Sequence, residues 1–413
     1  MPARRTASPA ASALLPLLAI LLPRRHVGTA LAFSPAAVPG WRRPATEARA
    51  ASPSSSEEGG GSPIELWADL AASQGAAALG AVTVGPSTIL GPDVSCGRGL
   101  FAASDVSRHE ELFRVRAEAI LTVEDAFDDA EDGDAFRSLA ARGPGWDTVA
   151  FAGWLGKHVL LDMLPGDGGG GDDDDGEEDT AATLRTMYLR SLPWSSDEQP
   201  HVMWWTKEDA ERLLRGSCVF DEAMGIRADV AESAALLTGL LEPTVKGALA
   251  EASTGGGGQL AELGLGTDDL DQVYRTLLSG SVRAAFVVLM SRSFDESVLG
   301  VRGGEGGYDW DDDDDDDDDV PGGRVYGERL VPFFDTMQHT SEEPNVYHAF
   351  DEDEDAIVVY AARDLRGGEE LVISYHDEME PQTFAARFGF VPGEARSVRT
   401  MLEERSPLFF SNL

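Results

Sequence analysis

The sequence holds two cysteines in 413 residues, Cys96 and Cys218. That is too few for a disulfide framework or a cysteine-based zinc cluster. Positive charge is also scarce: 33 lysines and arginines stand against 73 aspartates and glutamates, for a net charge of −40. Without residues 1–60 the balance is 26 basic to 70 acidic residues, which argues against nucleic acid as a partner. It suits a protein substrate with a basic target segment, which such a field would steer inward. No strand is followed by Gly-x-Gly-x-x-Gly and a helix, which argues against a doubly wound nucleotide-binding fold. The N-terminal apolar run from Ala11 to Pro23 is too short and too rich in proline to span a membrane comfortably. No stable membrane insertion of the mature chain is expected.

What is present begins with a leader. Arg4 and Arg5 precede the Ala11 to Pro23 run in the manner of a secretory signal. Residues 1–32 read as signal-peptide-like. Residues 33–60, rich in arginine, alanine, serine and proline with Glu47 the only acid up to Ser56, read as transit-peptide-like or disordered. The pair predicts import into a plastid behind extra membranes; an ordinary secreted protein is the alternative.

Two low-complexity acidic stretches interrupt the body of the chain. Pro165 to Asp179 is glycine with aspartate and glutamate, and Gly300 to Gly323 contains nine consecutive aspartates, Asp311 to Asp319. Like-charge blocks of this kind repel and stay disordered. A calcium loop is not expected, because with Gly176 as its glycine the first ligand position falls on Gly171.

The informative stretch is Leu330 to Val391. Val331-Pro332-Phe333-Phe334-Asp335-Thr336-Met337-Gln338-His339 begins apolar and carries polar groups inward, where they need partners. Ile357 to Ala361 and Leu371 to Tyr375 are β-branched or aromatic runs separated by Arg366-Gly367-Gly368-Glu369-Glu370, which reads as two strands joined by a turn. Phe388-Gly389-Phe390-Val391 closes the stretch. Upstream, Gly97-Arg98-Gly99-Leu100-Phe101-Ala102 leads through Asp105-Val106 to Glu110-Glu111-Leu112-Phe113. Ile64 to Leu79 reads as a helix with Ile64, Leu66, Trp67 and Leu70 on one apolar side, and residues 120 to 290 read as mostly helical. Thr206 is placed to cap one of those helices, with Asp209 three residues on.

These segments resemble the SET-domain methyltransferases, in the branch of the Rubisco large-subunit lysine methyltransferase and the actin histidine methyltransferase. Asp335 to His339, Gly368-Glu369-Glu370 followed by Tyr375, and Phe388-Gly389-Phe390 match that branch's three C-terminal signatures. Gly97 to Phe113 matches its opening strand pair, and Ser291-Arg292-Ser293-Phe294 its Ser-Arg-x-Phe landmark. Tyr188 to Pro193 and Trp204 to Leu214 resemble landmarks of the helical insert that splits the fold in this branch. Two positions depart: Gln338 stands for asparagine and Phe388 for a frequent tyrosine. The missing zinc cysteines also favour this branch.

The resemblance implies an α+β SET fold of several short β-sheets with a helical insert. Its parts would be residues 61–145 and 286–395 as the two SET portions, 146–285 as the insert with an acidic loop at 165–179, a second acidic loop at 300–323, and a tail at 396–413. It implies S-adenosylmethionine as cofactor, a protein lysine as acceptor and no metal. A histidine acceptor, or a SET-derived binding protein without turnover, is the alternative. By resemblance the donor is held by Glu111, the Phe113 backbone, Arg292, Asp335, Gln338, His339 and Tyr375. Tyr375 is the catalytic residue, and Phe388 and Phe390 line the acceptor channel. A planar, permanently charged guanidinium at Arg292 suits the donor's carboxylate.

Overall fold

The computed structural model describes residues 63–73, 75–89, 97–162, 180–195, 201–255, 267–295, 328–375, 379–391 and 396–405. The leader, both acidic stretches and the end of the tail lie outside these residues.

The chain opens with helix α1 (Pro63–Ser73). It buries Ile64, Trp67 and Ala71 but leaves Leu66 47% exposed, so the apolar side is narrower than the expected set. The helix also stops before Gly75, whose φ of +75° suits a residue without Cβ. Strands β1 (Ala77–Ala78), β2 (Val82–Pro86), β3 (Arg98–Ala102) and β4 (Glu111–Arg116) follow.

A helical region comes next: α2 (Val123–Phe127), α3 (Gly133–Ala140), α4 (Trp146–Asp162), α5 (Thr180–Ser191), α6 (Lys207–Leu214), α7 (Phe220–Gly255) and α8 (Thr267–Arg292). Its centre is α4, in which every residue from Ala150 to Lys157 is buried. Helix α8 crosses it so closely that a Cβ on Gly156 would lie 2.7 Å from Val282 Cα. Length and apolarity would let α8 cross a membrane; here Leu278, Val282, Ala285 and Leu289 are buried in the protein core instead. Thr206 caps α6 as expected, its hydroxyl accepting from the Asp209 amide at 3.0 Å.

The remaining elements are β5 (Phe294–Asp295), β6 (Glu328–Arg329), β7 (Gln338–His339), β8 (Val346–Asp351), β9 (Ala356–Ala361), β10 (Glu370–Ile373), α9 (Pro381–Phe388) and α10 (Val398–Glu403). One four-stranded sheet has the order β1-β4-β9-β8, a second β2-β3-β10-β7, and β5 pairs with β6. The two apolar runs at Ile357 and Leu371 are strands, but they do not pair with each other. Strand β9 pairs with β4 and β8, whereas β10 pairs with β3 and, in parallel, with β7. The Arg366 to Glu370 turn therefore carries the chain from one sheet to the other. Gly367 and Gly368 fit this passage: Gly368 has φ +82°, and a Cβ on Gly367 would sit 3.2 Å from Ser104 Cα.

Candidate active site

The site forms where the second sheet meets the C-terminal end of α8. Leu330 is pinned to Leu121 by a pair of backbone hydrogen bonds at 2.9 and 3.0 Å. Three residues on, Phe333 takes φ +67°, a conformation rare for a side chain of its size. That reversal starts the short 3-10 turn Phe334–Thr336 and drives Asp335 into the interior, where it is 6% exposed.

Asp335 meets Arg292, the last residue of α8. The guanidinium donates from Nη1 to the Asp335 carbonyl at 2.6 Å and lies 3.5 Å from Oδ2 of its carboxylate. Burial pushes the Asp335 carboxyl up, against the pull of the Arg292 and Arg98 charges. Tyr188, on α5 and 1% exposed, faces the same carboxylate; burial first and then the Asp335 charge push its phenol far above the ordinary range. Among the described residues, Arg292 Nε is buried without a hydrogen-bond partner. A cation held this way has a donor to spare.

Gln338 and His339 make up β7 and lie opposite Val372 and Ile373 of β10. The Gln338 amide donates to the Arg98 carbonyl at 2.8 Å, so the extra methylene lets it reach across to β3. Arg98 in turn donates from Nη2 to the Ser191 carbonyl at the end of α5. His339 Nδ1 accepts the Tyr375 amide at 3.2 Å. An acceptor nitrogen carries no proton, so the neutral ring holds its hydrogen on Nε2, 3.5 Å from Ser341 Oγ. The Tyr375 hydroxyl donates to the Met337 carbonyl at 2.8 Å. Tyr375 is thus fixed at both ends by the segment that carries Asp335.

Tyr375 also opens an aromatic cluster. Its ring centroid is 5.1 Å from Phe388, 6.4 Å from Phe384 and 6.5 Å from Phe390, and His339 lies 4.7 Å from Phe384. Helix α9 supplies Phe384 and Phe388, and Gly389 at φ +82° turns the chain so that Phe390 follows them inward. Arg387 Nε anchors this helix to the Met290 carbonyl of α8 at 3.0 Å.

The structure therefore brings Arg292, Asp335, Gln338, His339, Tyr375, Phe388 and Phe390 into one contiguous region. Phe113 borders it, fully buried 6.4 Å from Phe333. Glu111 lies elsewhere. A bulge between Glu111 and Phe113 shifts the β4 register, and the Glu111 carboxylate is gripped by Arg114 at 2.7 and 2.8 Å, which lowers its pKa. No hydrogen bond or ion pair among the described residues joins it to the Arg292 to Tyr375 cluster.

Sequence reasoning missed Asn345 and Arg98. Asn345 is 2% exposed; its side chain accepts from the Val372 amide and donates to the Glu370 carbonyl, both at 2.8 Å. It serves β10 as an additional strand would. A Pro-Asn pair between an inward-turning segment and a strand was the available signal.

The SET domain family model matches residues 97–376 of the chain. No curated protein matches it. Among solved structures it is similar to Rubisco LSMT bound to AdoMet, with 15% identity and a TM-score of 0.47, over 81% of this chain and 57% of that one. The SET domain of LSMT bound to lysine and AdoHcy gives 16% identity and a TM-score of 0.44, over 80% and 57%. The chain thus spans little more than half the length of these structures.

Proposed function

Since the chain belongs to the SET domain family, we propose that it is an S-adenosylmethionine-dependent protein N-methyltransferase that acts on a lysine side chain. The observation that carries this reading is the placement of Tyr375 between a buried polar cluster and an aromatic one. On the polar side, Arg292 Nε, without a hydrogen-bond partner among the described residues, fits a donor's carboxylate. On the aromatic side, Phe388 packs against the Tyr375 ring and Phe390 against Phe384, apolar surface of the kind that suits the stem of a lysine.

Bound S-adenosylmethionine supplies an electrophilic methyl group on a sulfonium. What the protein must supply is alignment and an unprotonated nitrogen. The aromatic walls strip water from the amine, which favours its neutral form. Tyr375 holds the acceptor in line; a phenol with an ordinary pKa of about 10 is a positioning and electrostatic group rather than a base. Its orientation is inherited from His339 and Met337, so misalignment of that segment is transmitted directly to the reacting atoms. Phe388 offers no hydroxyl to the amine, leaving the Tyr375 hydroxyl as the polar contact there.

Gln338 supports a second reading. Its amide is occupied by the Arg98 carbonyl, and a protein that binds donor without turnover would show the same tie. Titration calorimetry of S-adenosylmethionine into the protein, paired with transfer of labelled methyl groups to plastid proteins, separates the two. Tyr375→Phe should keep donor affinity and lose roughly 100-fold in transfer. Donor binding with no transfer by the parent protein would hand the case to the binding protein. We read the leader as a plastid-import signal; residues 1–60 fused to a fluorescent protein should enter that organelle, and export from the cell would refute it.

A further inference from the structure

On this acid-rich chain, basic side chains gather where α7, α8 and α9 meet beside the aromatic cluster. The turn from His201 to Trp205 ties two of them together. Arg227 of α7 donates from Nη1 to the Val202 carbonyl at 2.8 Å and from Nη2 to the Trp205 carbonyl at 3.1 Å. At the start of the same turn, His201 Nε2 donates to the Arg387 carbonyl of α9. The Arg387 side chain reaches α8 through Nε, which donates to the Met290 carbonyl, and its guanidinium carbon lies 5.8 Å from the Phe388 ring centroid. Arg283 stands on α8 seven residues before Met290. Seven residues are close to two turns, so it shares that side of the helix about 10 Å along the axis. Arg283 is exposed, and after burial its charge is what lowers the pKa of Arg227.

None of the three pairs with a carboxylate among the described residues, whereas Arg190, Arg363 and Arg396 each grip one at the surface. Donors remain unused as well. Among the described residues Arg283 makes no hydrogen bond, and Arg387 makes one, through Nε. Two like charges are thus held near each other without a counter-charge, next to a third.

We propose that Arg227, Arg283 and Arg387 form a docking surface for an acidic protein segment and, resting on the reading that Tyr375 and Phe388 receive the methyl acceptor, that this segment flanks the target lysine. Guanidinium forks match carboxylates in charge and shape. Arg387 provides the contact nearest Phe388 and Arg283 the one farther along α8. An extended segment advances about 3.3 Å per residue, so two acidic residues about three positions apart reach both. The net charge of −40 draws basic segments from a distance. At close range this surface selects the opposite sign, because a basic segment would set its charges against three guanidinium groups.

The test is fluorescence anisotropy of the full chain with a labelled decapeptide that holds one central lysine, glutamates on both sides of it and serines elsewhere, at about 150 mM salt so that long-range repulsion is screened. Arg283→Glu should weaken binding about tenfold, and exchanging the peptide's glutamates for glutamines should weaken binding to the parent protein about tenfold. Arg108→Glu makes the same charge change at an exposed arginine between β3 and β4 and should leave affinity within about twofold. Absence of binding, equal weakening by the two arginine substitutions, indifference to the glutamine exchange, or tighter binding of a labelled decathymidylate would each overturn the proposal. Binding is read without a methyl donor, so its failure strikes the docking surface alone; the role of Tyr375 stands or falls on labelled methyl transfer. Melting curves for each variant confirm that the fold is intact.

Discussion

Lys157 and Arg292 are both buried cations beside carboxylates, 2% and 9% exposed, yet their surroundings differ in completeness. Lys157 Nζ lies 2.6 Å from Asp129, 2.9 Å from Asp132 and 3.4 Å from Glu131, three acceptors for three donors. The second oxygen of Asp129 faces His158 Nε2 at 3.0 Å, and that of Asp132 takes the Thr244 hydroxyl at 2.9 Å. Burial works against the Asp129 charge, but the His158 and Lys157 hydrogen bonds outweigh it and hold the carboxyl below the carboxylate range. Burial likewise opposes the Lys157 charge, and the Asp129 and Asp132 bonds raise its pKa regardless. Oxygens of Asp129, Glu131 and Asp132 lie within 4.8 Å of one another, close enough for a metal ion. The ammonium already stands against all three. Arg292 meets a carbonyl and a more distant carboxylate and keeps Nε in reserve. A saturated buried cation holds the fold together; an unsaturated one has capacity for a ligand.

Three measurements bear on that contrast. Lys157→Ala leaves Asp129 and Asp132 without their counter-charge and should cost about 3–5 kcal/mol of stability, read from the denaturant midpoint. Donor affinity of the folded protein should stay within about twofold, because the network shares no partner with Arg292. A variant as stable as its parent would show that saturation carries no structural weight.

His201 extends the saturated class. Its Nδ1 accepts the Met203 amide at 3.0 Å, its Nε2 donates to the Arg387 carbonyl at 2.6 Å, and burial brings its pKa down to about 4. Above the unfolded value of about 6.5 the ring is neutral in both states and costs nothing. As pH falls from there toward 4, the unfolded chain takes up a proton that the folded one refuses, and stability drops by roughly 3 kcal/mol in all. His201→Gln should flatten that part of the pH profile, and an unchanged slope would contradict the assignment.

The smallest effect on the fold is expected from Arg292→Ala. Donor affinity should fall about 100-fold, equivalent to about 2.7 kcal/mol. The denaturant midpoint should move less than in Lys157→Ala, since Arg292 meets one carboxylate, at 3.5 Å, where Lys157 meets three. A large loss of stability with donor binding retained would reverse the two assignments.

Much of the site was legible because its residues sit in short segments whose chemistry is local. The Asp335 to His339 run, the Gly-Gly-Glu-Glu turn and the Ser-Arg-x-Phe landmark each announce themselves in a few residues. What lay beyond reading was the long-range geometry. Two strands with a turn between them look like a hairpin, and only the pairing of β10 with β3 and β7 shows them in separate sheets. The bulge that turns Glu111 toward Arg114 has no sequence signature. Nor was the reach of Gln338 to Arg98 readable, since an amide's partner depends on which strand comes alongside. Lys157 did leave a trace: a lysine within the apolar stretch Ala150 to Leu161 must find acceptors somewhere.

The same ties set an order in time. The Gln338 to Arg98 hydrogen bond joins positions 240 residues apart, and Glu370 reaches Thr88 across 282. Bringing such distant segments together costs chain entropy that α4, α7 and α8 meet to a smaller degree, because their contacts lie closer in sequence. The helical region is therefore expected to form early and the proposed methyl-donor site last. In refolding experiments the helical circular-dichroism signal should recover before the capacity to bind S-adenosylmethionine; recovery of both in a single phase would show that the two halves of the sheet find each other first.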